Sequence, residues 1–285
     1  MESPLMDIVF SETQKRRLRE LGATGDETKT VFATGKDRDH GYQATEKRLV
    51  KSERQRLHYF CNTTRRSRVT ILEQKLASEL TSAGFVQVTS PILMSRSSLA
   101  RMGTTADHPL FSQIFWLDDN RCLRPMLAPH LYEVVRELLR LNEGLVRLFE
   151  IGPCFRKESH GARHSNEFTM LNLAEFGLPE AGRRERIEEL AAAVMHYAGI
   201  IDYEFAGEDS EIYGETMDVV AGKTGMELGS SAMGPHPLDA NWRINTTWVG
   251  VGFGIERLVM AGDGETNMGR LARSFTYLDG IRLNI

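Results

Sequence analysis

The chain has 285 residues, 41% of them hydrophobic, with 35 basic side chains against 39 acidic ones. That is enough apolar material for a substantial core, and no run of about 20 apolar residues is present to span a bilayer. The N-terminal residues do not read as a secretory signal. The cysteines Cys61, Cys122 and Cys154 form no Cys-x-x-Cys, which argues against a disulfide framework or a zinc site, and a cytoplasmic location is the expectation.

In chain order, residues 11–21 read as a short amphipathic helix with Ser11 as N-cap and Gly22 as stop. Residues 23–46, rich in Gly, Thr and Asp, read as a loosely ordered connection. Next comes a basic stretch, in which Lys47, Arg48, Lys51, Arg54, Arg56, Arg65, Arg66 and Arg68 face the single acid Glu53. Such a cluster is either a solvated helix face or a polyanion contact.

From Val69 the periodicity sharpens. Val69, Leu72, Leu76, Ala77 and Leu80 recur at helical spacing, and Gly84 closes the helix. The run from Phe85 to Leu93 reads as one strand with Pro91 near its end. Residues 112–118 and 122–127 read as a strand pair around the turn Asp118-Asp119-Asn120. Pro129 opens a helix ending near Gly144. Residues 145–158 and 167–176 read as long strands flanking a polar loop, and 183–198 as a third helix. Strands follow over 210–220 and 226–234. The glycine-spaced strand 248–254 runs straight into a helix beginning at Ile255. Adjoining strands with few crossovers predict an α+β fold, a mainly antiparallel sheet flanked by helices.

Two clusters carry chemistry. On the strand 167–176, Phe168, Met170, Asn172 and Ala174 share one face. Arg156 and Glu158 share a face of the strand before it. Together they offer an arginine for a phosphate or carboxylate, a flat ring and an amide, or simply a salt-bridged hairpin. Gly250, Gly252 and Gly254 leave one strand face bare, so a planar ligand can approach the backbone. Arg257 follows in the first turn of a helix, whose N-terminus favours anions. The spacing and context are not those of a Rossmann fingerprint.

Taken in order, the helix 69–83 with its strand to Pro91, the set Arg156, Glu158, His164 and Phe168, and the run Gly250 to Arg257 resemble the three signature motifs of class II aminoacyl-tRNA synthetases. Further segments, among them residues 107–119, 123–129, 167–173 and 276–280, make residues 69–285 similar to the pyrrolysyl-tRNA synthetases. The resemblance implies a class II catalytic domain over 69–285. It implies a helical, basic, tRNA-contacting extension over 1–68, and a homodimer formed through the first motif. It further implies ATP and Mg2+, an amino acid substrate, and a pyrrolysine tRNA of the amber-suppressor kind, with no membrane partner.

By family position, Arg156 bridges the substrate carboxylate and the α-phosphate and Glu158 holds the adenine amino group. Phe168 stacks under the base, His164 lies near the β- and γ-phosphates, and Gly254 and Arg257 complete the nucleotide site. Arg156 and Arg257 are the expected catalytic pair, and Glu227 and Ser230 the expected magnesium ligands. The amino-acid pocket is expected from Leu127, Ala128, Leu131, Tyr132, Val135, Met170, Asn172, Ala174, Trp248 and Gly250, with Tyr213 on a closing loop. Leu131 and Val135 read equally well as core. Asn172 is the expected specificity reader, because an amide on an otherwise apolar inward face needs a hydrogen-bond partner. His130, Ser165, Asn166 and Ala174 depart from the family's usual residues and bear on pocket width. The alternatives are a phenylalanyl-type class II subunit and an inactive tRNA-binding paralogue.

Overall fold

The structure, a computed structural model, describes residues 7–142, 144–157, 164–210 and 214–285, with backbone alone at 208–210, 214 and 215. The chain divides into two compact units, Met1–Ser67 with Ser274–Ile285, and Arg68–Arg273.

In the first unit, β1 (Ile8–Val9) precedes α1 (Glu12–Glu20). Ser11 caps the helix as expected, here in a capping box with Gln14, and Gly22 takes φ +88° just past the helix end. The stretch expected as a loose connection is instead built. It holds α2 (Gly25–Thr28), β2 (Val31–Phe32) and the start of α3 (Gly35–Tyr59). Thr24 and Thr34 cap the two helices, and the Phe10 and Phe32 rings meet at 4.8 Å beneath them. The sequence hides α3 because it buries only Leu49 and Glu53 over 25 residues, so no apolar stripe marks it. A π-helical turn, Phe60–Thr64, ends it, with Arg65 left-handed at φ 58°.

The second unit opens with α4 (Arg68–Ser82), which buries Val69, Leu72, Leu76 and Leu80 as its spacing predicts. The single strand expected next is split into β3 (Val86–Gln87) and β4 (Leu93–Ser95), in different sheets. The break has a cause: Pro91 has no N–H, and the Ser90 N–H is taken by Glu150 Oε1 at 3.1 Å. After α5 (Arg96–Arg101) and α6 (Pro109–Ser112), β5 (Arg121–Leu123) pairs with β4. The expected partner segment before the Asp118 turn contributes only an irregular bridge at Trp116. The helix α7 (Ala128–Leu141) follows.

The main sheet is then completed by β6 (Val146–Phe155), β7 (Glu167–Phe176), β8 (Tyr203–Ser210), β9 (Gly214–Ala221), β10 (Met226–Gly234) and β11 (Trp248–Gly254). Its order is β3-β6-β7-β11-β10-β9-β8, and only the β3–β6 pairing is parallel. β8 is absent from the sequence reading, which ran one strand across 210–220. Ser210 pairs instead with Gly214, so the chain turns back there. One sheet face packs Phe149, Leu171, Val251 and Phe253 against α4, α8 (Arg183–Ala198) and α9 (Ile255–Asp263). The other face carries α7 over Leu148, Ala174 and Trp248. The α+β architecture expected from the sequence is the one observed.

The tail, β12 (Tyr277–Leu278) and β13 (Ile281–Arg282), returns to the first unit. Ile285 packs on the core of Phe10, Leu18, Leu21 and Leu49. The buried Glu53 carboxylate accepts the Arg282 N–H at 2.7 Å.

Candidate active site

A cavity of about 410 Å3 opens on the α7 face of the sheet. Its floor follows from strand register. Met170, Asn172 and Ala174 of β7 stand opposite Gly254, Gly252 and Gly250 of β11. Beyond the glycines, Gly252 pairs with Ser230 and Gly250 with Ala232. The side chains on β7 therefore border a bare strip of backbone, on which a flat or extended ligand can lie.

The polar end is built by Arg156, His164, Ser165, Phe168, Glu227, Ser230 and Arg257, all of which line the cavity. Arg156 sits just past β6, where its N–H extends the ladder to Asn166 O at 3.0 Å. Its Nε donates to Pro125 O at 2.9 Å, and its guanidinium lies 5.4 Å over the Phe168 ring. A guanidinium held in this way at the cavity edge is of the kind that recognises phosphate or carboxylate. Arg257, in the first turn of α9, bonds the Glu227 carboxylate at 3.0 Å and the Glu227 carbonyl at 3.1 Å. Beneath it, Glu256 accepts the Thr169 N–H with both oxygens, at 3.0 and 2.9 Å, and fixes β7 between Phe168 and Met170. Burial pushes the Glu256 carboxyl up, against the pull of that N–H.

The apolar end is walled by Ala128, Leu131 and Tyr132 from α7 and by Phe176 and Trp248 from the sheet. The Tyr132 and Trp248 rings meet edge-on at 5.8 Å. Leu127 and Val135, expected in this pocket, do not line it. Both are fully buried: Val135 shares the α7 face of Leu131 and Tyr132 and packs in the same core one turn further along, and Leu127 precedes the helix as its N-cap. Glu158 and Tyr213 lie outside the described residues. Phe176, Ala232 and Glu256 also line the cavity, unanticipated. Phe176 continues the β7 alternation by one step and was legible; Glu256 falls within the third motif run, Gly250 to Arg257, but was given no role of its own.

Beside the cavity floor, where Glu150 of β6 stands opposite Asn172, lies a buried ionic network. Arg124 Nη1 bonds Glu150 Oε1 at 2.7 Å and Ser90 Oγ at 2.9 Å, and its Nε donates to Pro153 O at 2.8 Å. Ser90 Oγ donates to Glu150 Oε2 at 2.6 Å and also contacts His130 Nδ1 at 3.3 Å. Burial, then the neighbouring Arg124, hold the His130 imidazole below its usual pKa. Burial pushes the Cys154 thiol up to about 12 and the Cys122 thiol to about 11, so neither offers a thiolate near neutrality.

An antiparallel sheet carrying an arginine over a phenylalanine, a glycine-lined strand and a helix-borne arginine defines a class II aminoacyl-tRNA synthetase. A model described as the phenylalanyl tRNA synthetase beta chain CLM domain matches residues 61–231. A pyrrolysyl-tRNA synthetase structure from Desulfitobacterium hafniense is 48% identical, with a TM-score of 0.89, covering 97% of this chain and 99% of that one. A second, of D. hafniense PylSc, is 46% identical at the same TM-score. The lysine–tRNA ligase of Thermoanaerobacter pseudethanolicus is 31% identical over 134 residues, 47% of this chain and 25% of that protein. The chain thus spans about a quarter of that relative's length. The chain belongs to the pyrrolysyl-tRNA synthetase family, within the class II synthetases that share the phenylalanyl-type catalytic domain.

Proposed function

We propose that this protein ligates pyrrolysine, or a related lysine derivative, to its cognate tRNA through an aminoacyl-adenylate. The observation that carries this reading is one cavity with an anion-binding end and a long apolar end, with the Asn172 amide facing in between. In the first step the amino acid carboxylate attacks the ATP α-phosphorus. A new O–P bond forms and pyrophosphate leaves. In the second, the terminal ribose hydroxyl of the tRNA attacks the acyl carbon and AMP leaves. Neither step needs a protein nucleophile; placement and charge neutralisation supply the catalysis.

Arg156, held by Pro125 O and Phe168, is suited to bridge carboxylate and α-phosphate as negative charge moves between them. Phe168 offers the base a stacking face, Glu158 a partner for its amino group, Arg257 the cation for the outer phosphates, and His164 a hydrogen-bonding ring near them. Among the described residues no three His, Cys, Asp or Glu side chains cluster as a complete metal cage. Glu227 and Ser230 nevertheless fit magnesium, which binds through one or two protein oxygens plus substrate phosphates. When bound it supplies neutralising charge to the triphosphate.

On α3, Lys47, Lys51 and Arg54 recur at i, i+4 and i+7 and are exposed, a face suited to tRNA phosphates. In the second unit Ile71, Val86, Ile92 and Leu93 are exposed around the α4 and β3 edge, which fits a homodimer contact. Sedimentation as a monomer at micromolar concentration would remove the dimer from this reading. Among the described residues no helix is long and apolar enough to cross a membrane. The deciding experiment is amino-acid-dependent ATP–pyrophosphate exchange with pyrrolysine, a lysine carbamate, lysine and phenylalanine. Exchange with the first two is expected; preference for phenylalanine or lysine, or no exchange at all, overturns the reading.

A further inference from the structure

Asp239 lies in a short 3-10 turn, Pro237–Trp242, and is 3% exposed. A buried carboxylate is unfavourable unless hydrogen bonds replace its water. Three donors do so. Tyr132 Oη donates to Oδ1 at 3.2 Å. Trp248 Nε1 donates to Oδ2 at 2.8 Å, and the His236 N–H to the same oxygen at 2.7 Å. Two of these donors are the polar tips of side chains whose rings wall the apolar end of the cavity. Tyr132 comes from α7 and Trp248 from β11, so the carboxylate ties helix to sheet at the pocket itself.

Ring packing alone does not define that junction. Phe176 stacks on Trp248 at 5.9 Å and meets Tyr132 edge-on at 6.4 Å, contacts that tolerate sliding. A shared carboxylate does not tolerate it, because each hydrogen bond restricts distance and angle. The surroundings support the anchor. A Cβ at Gly234 would run into the Trp248 indole nitrogen, so the glycine leaves the room the ring needs. Trp242, at the end of the same turn, packs on Tyr132 at 5.4 Å and carries the Arg101 guanidinium 4.5 Å from its ring centre.

We propose that Asp239 is a positioning residue of the amino-acid pocket: by holding Tyr132 and Trp248 on one carboxylate it sets the gap between the helix wall and the strand wall, and with it the side chain accepted. This rests on the reading that the apolar end receives a long lysine derivative. Asp239 touches no reacting atom, so its loss shows in substrate fit and not in phosphoryl chemistry.

The test is exchange kinetics on the full chain. In Asp239→Ala the KM for a lysine carbamate is expected to rise about tenfold or more, with kcat and the KM for ATP within about threefold. Asp239→Asn can accept from Trp248 through its oxygen and donate to Tyr132 Oη through its amide. It is expected to return the KM to within about threefold of the parent. A lowered melting temperature with unchanged KM in Asp239→Ala would make the residue merely structural and overturn the proposal. If Asp239→Ala does not fold, Tyr132→Phe removes only the hydroxyl. A KM rise of about threefold or more at constant kcat supports the anchor, and an unchanged KM overturns it. The Trp248 indole N–H resonance, assigned through Trp248→Phe, separates this inference from the functional reading. It is expected to be protected from hydrogen exchange in the parent, in Asp239→Asn and in Tyr132→Phe, which keeps the Trp248 bond to the carboxylate, and to lose protection in Asp239→Ala. If the parent shows no exchange with any lysine derivative, the functional reading fails. The resonance still decides whether Asp239 positions the rings, and unchanged protection in Asp239→Ala overturns that too.

Discussion

Asn172 stands on the cavity floor between Met170 and Ala174, opposite Gly252. An amide there can donate to a carbonyl near the end of a long substrate. Asn172→Ala is therefore expected to lose about 1–3 kcal/mol of binding for a lysine carbamate, because the substrate carbonyl is left buried without a donor. Space freed beside Ala174 should admit phenylalanine. Retained selectivity in the exchange assay would show the amide to be structural. His130 makes a second residue-scale prediction. Its folded pKa lies below the unfolded value of 6.5, held down by burial and Arg124. The unfolded chain then binds the proton more tightly, so this contribution to stability is complete above pH 6.5 and is lost as pH falls through the window below it. His130→Asn should flatten that part of the pH–stability curve measured by urea unfolding. At this scale the sequence was readable where side chains alternate along one strand, as from Phe168 to Ala174. It was opaque for acids: Asp239, Glu150 and Glu256 are buried, and composition does not separate them from the exposed Glu137 or Glu180.

Elements were legible in proportion to their amphipathicity. α4 and α7 bury one stripe each, so their spacing disclosed them. α3 is polar around nearly its whole circumference and was mistaken in part for a connection. β3 and β4 were joined because apolar alternation continues across Ser90 and Pro91, while the break depends on Glu150, distant in sequence. The same dependence makes Gly152 a sensitive point of β6. A Cβ there would collide with the Arg124 guanidinium and touch Glu150 Oε1 at 3.4 Å. Forcing that buried pair apart should cost about 3–5 kcal/mol, as for loss of one partner of an interior ion pair. Gly152→Ala is expected to show it as a lower urea midpoint. A midpoint equal to the parent's would mean that Arg124 finds another equally good position.

At the scale of the molecule, the basic face and the cavity belong to different units, and their functions should separate. Changing Lys47, Lys51 and Arg54 to Gln removes three cations without creating new attractions. If each meets a phosphate, the slope of log K against log salt for tRNA binding should flatten by about 0.7–0.9 per residue. Pyrophosphate exchange should be unchanged. An unaltered slope would reduce the cluster to a solvated helix face, the other reading that the sequence left open. The sequence reading ran its second segment from 69 to 285, and the association of residues 274–285 with the N-terminal unit was not legible because it is a matter of tertiary contact.

That last association has a consequence for damaged copies of the gene. A stop codon after Arg273 would spare every residue that lines the cavity, yet it would delete the β12–β13 hairpin, the Ile285 contact and the main-chain donor to Glu53. The fault would strike the far end of the polypeptide from the lesion. A truncated product of this kind should still form adenylate while charging its tRNA poorly, so a screen that scored only amino acid activation would pass it as sound.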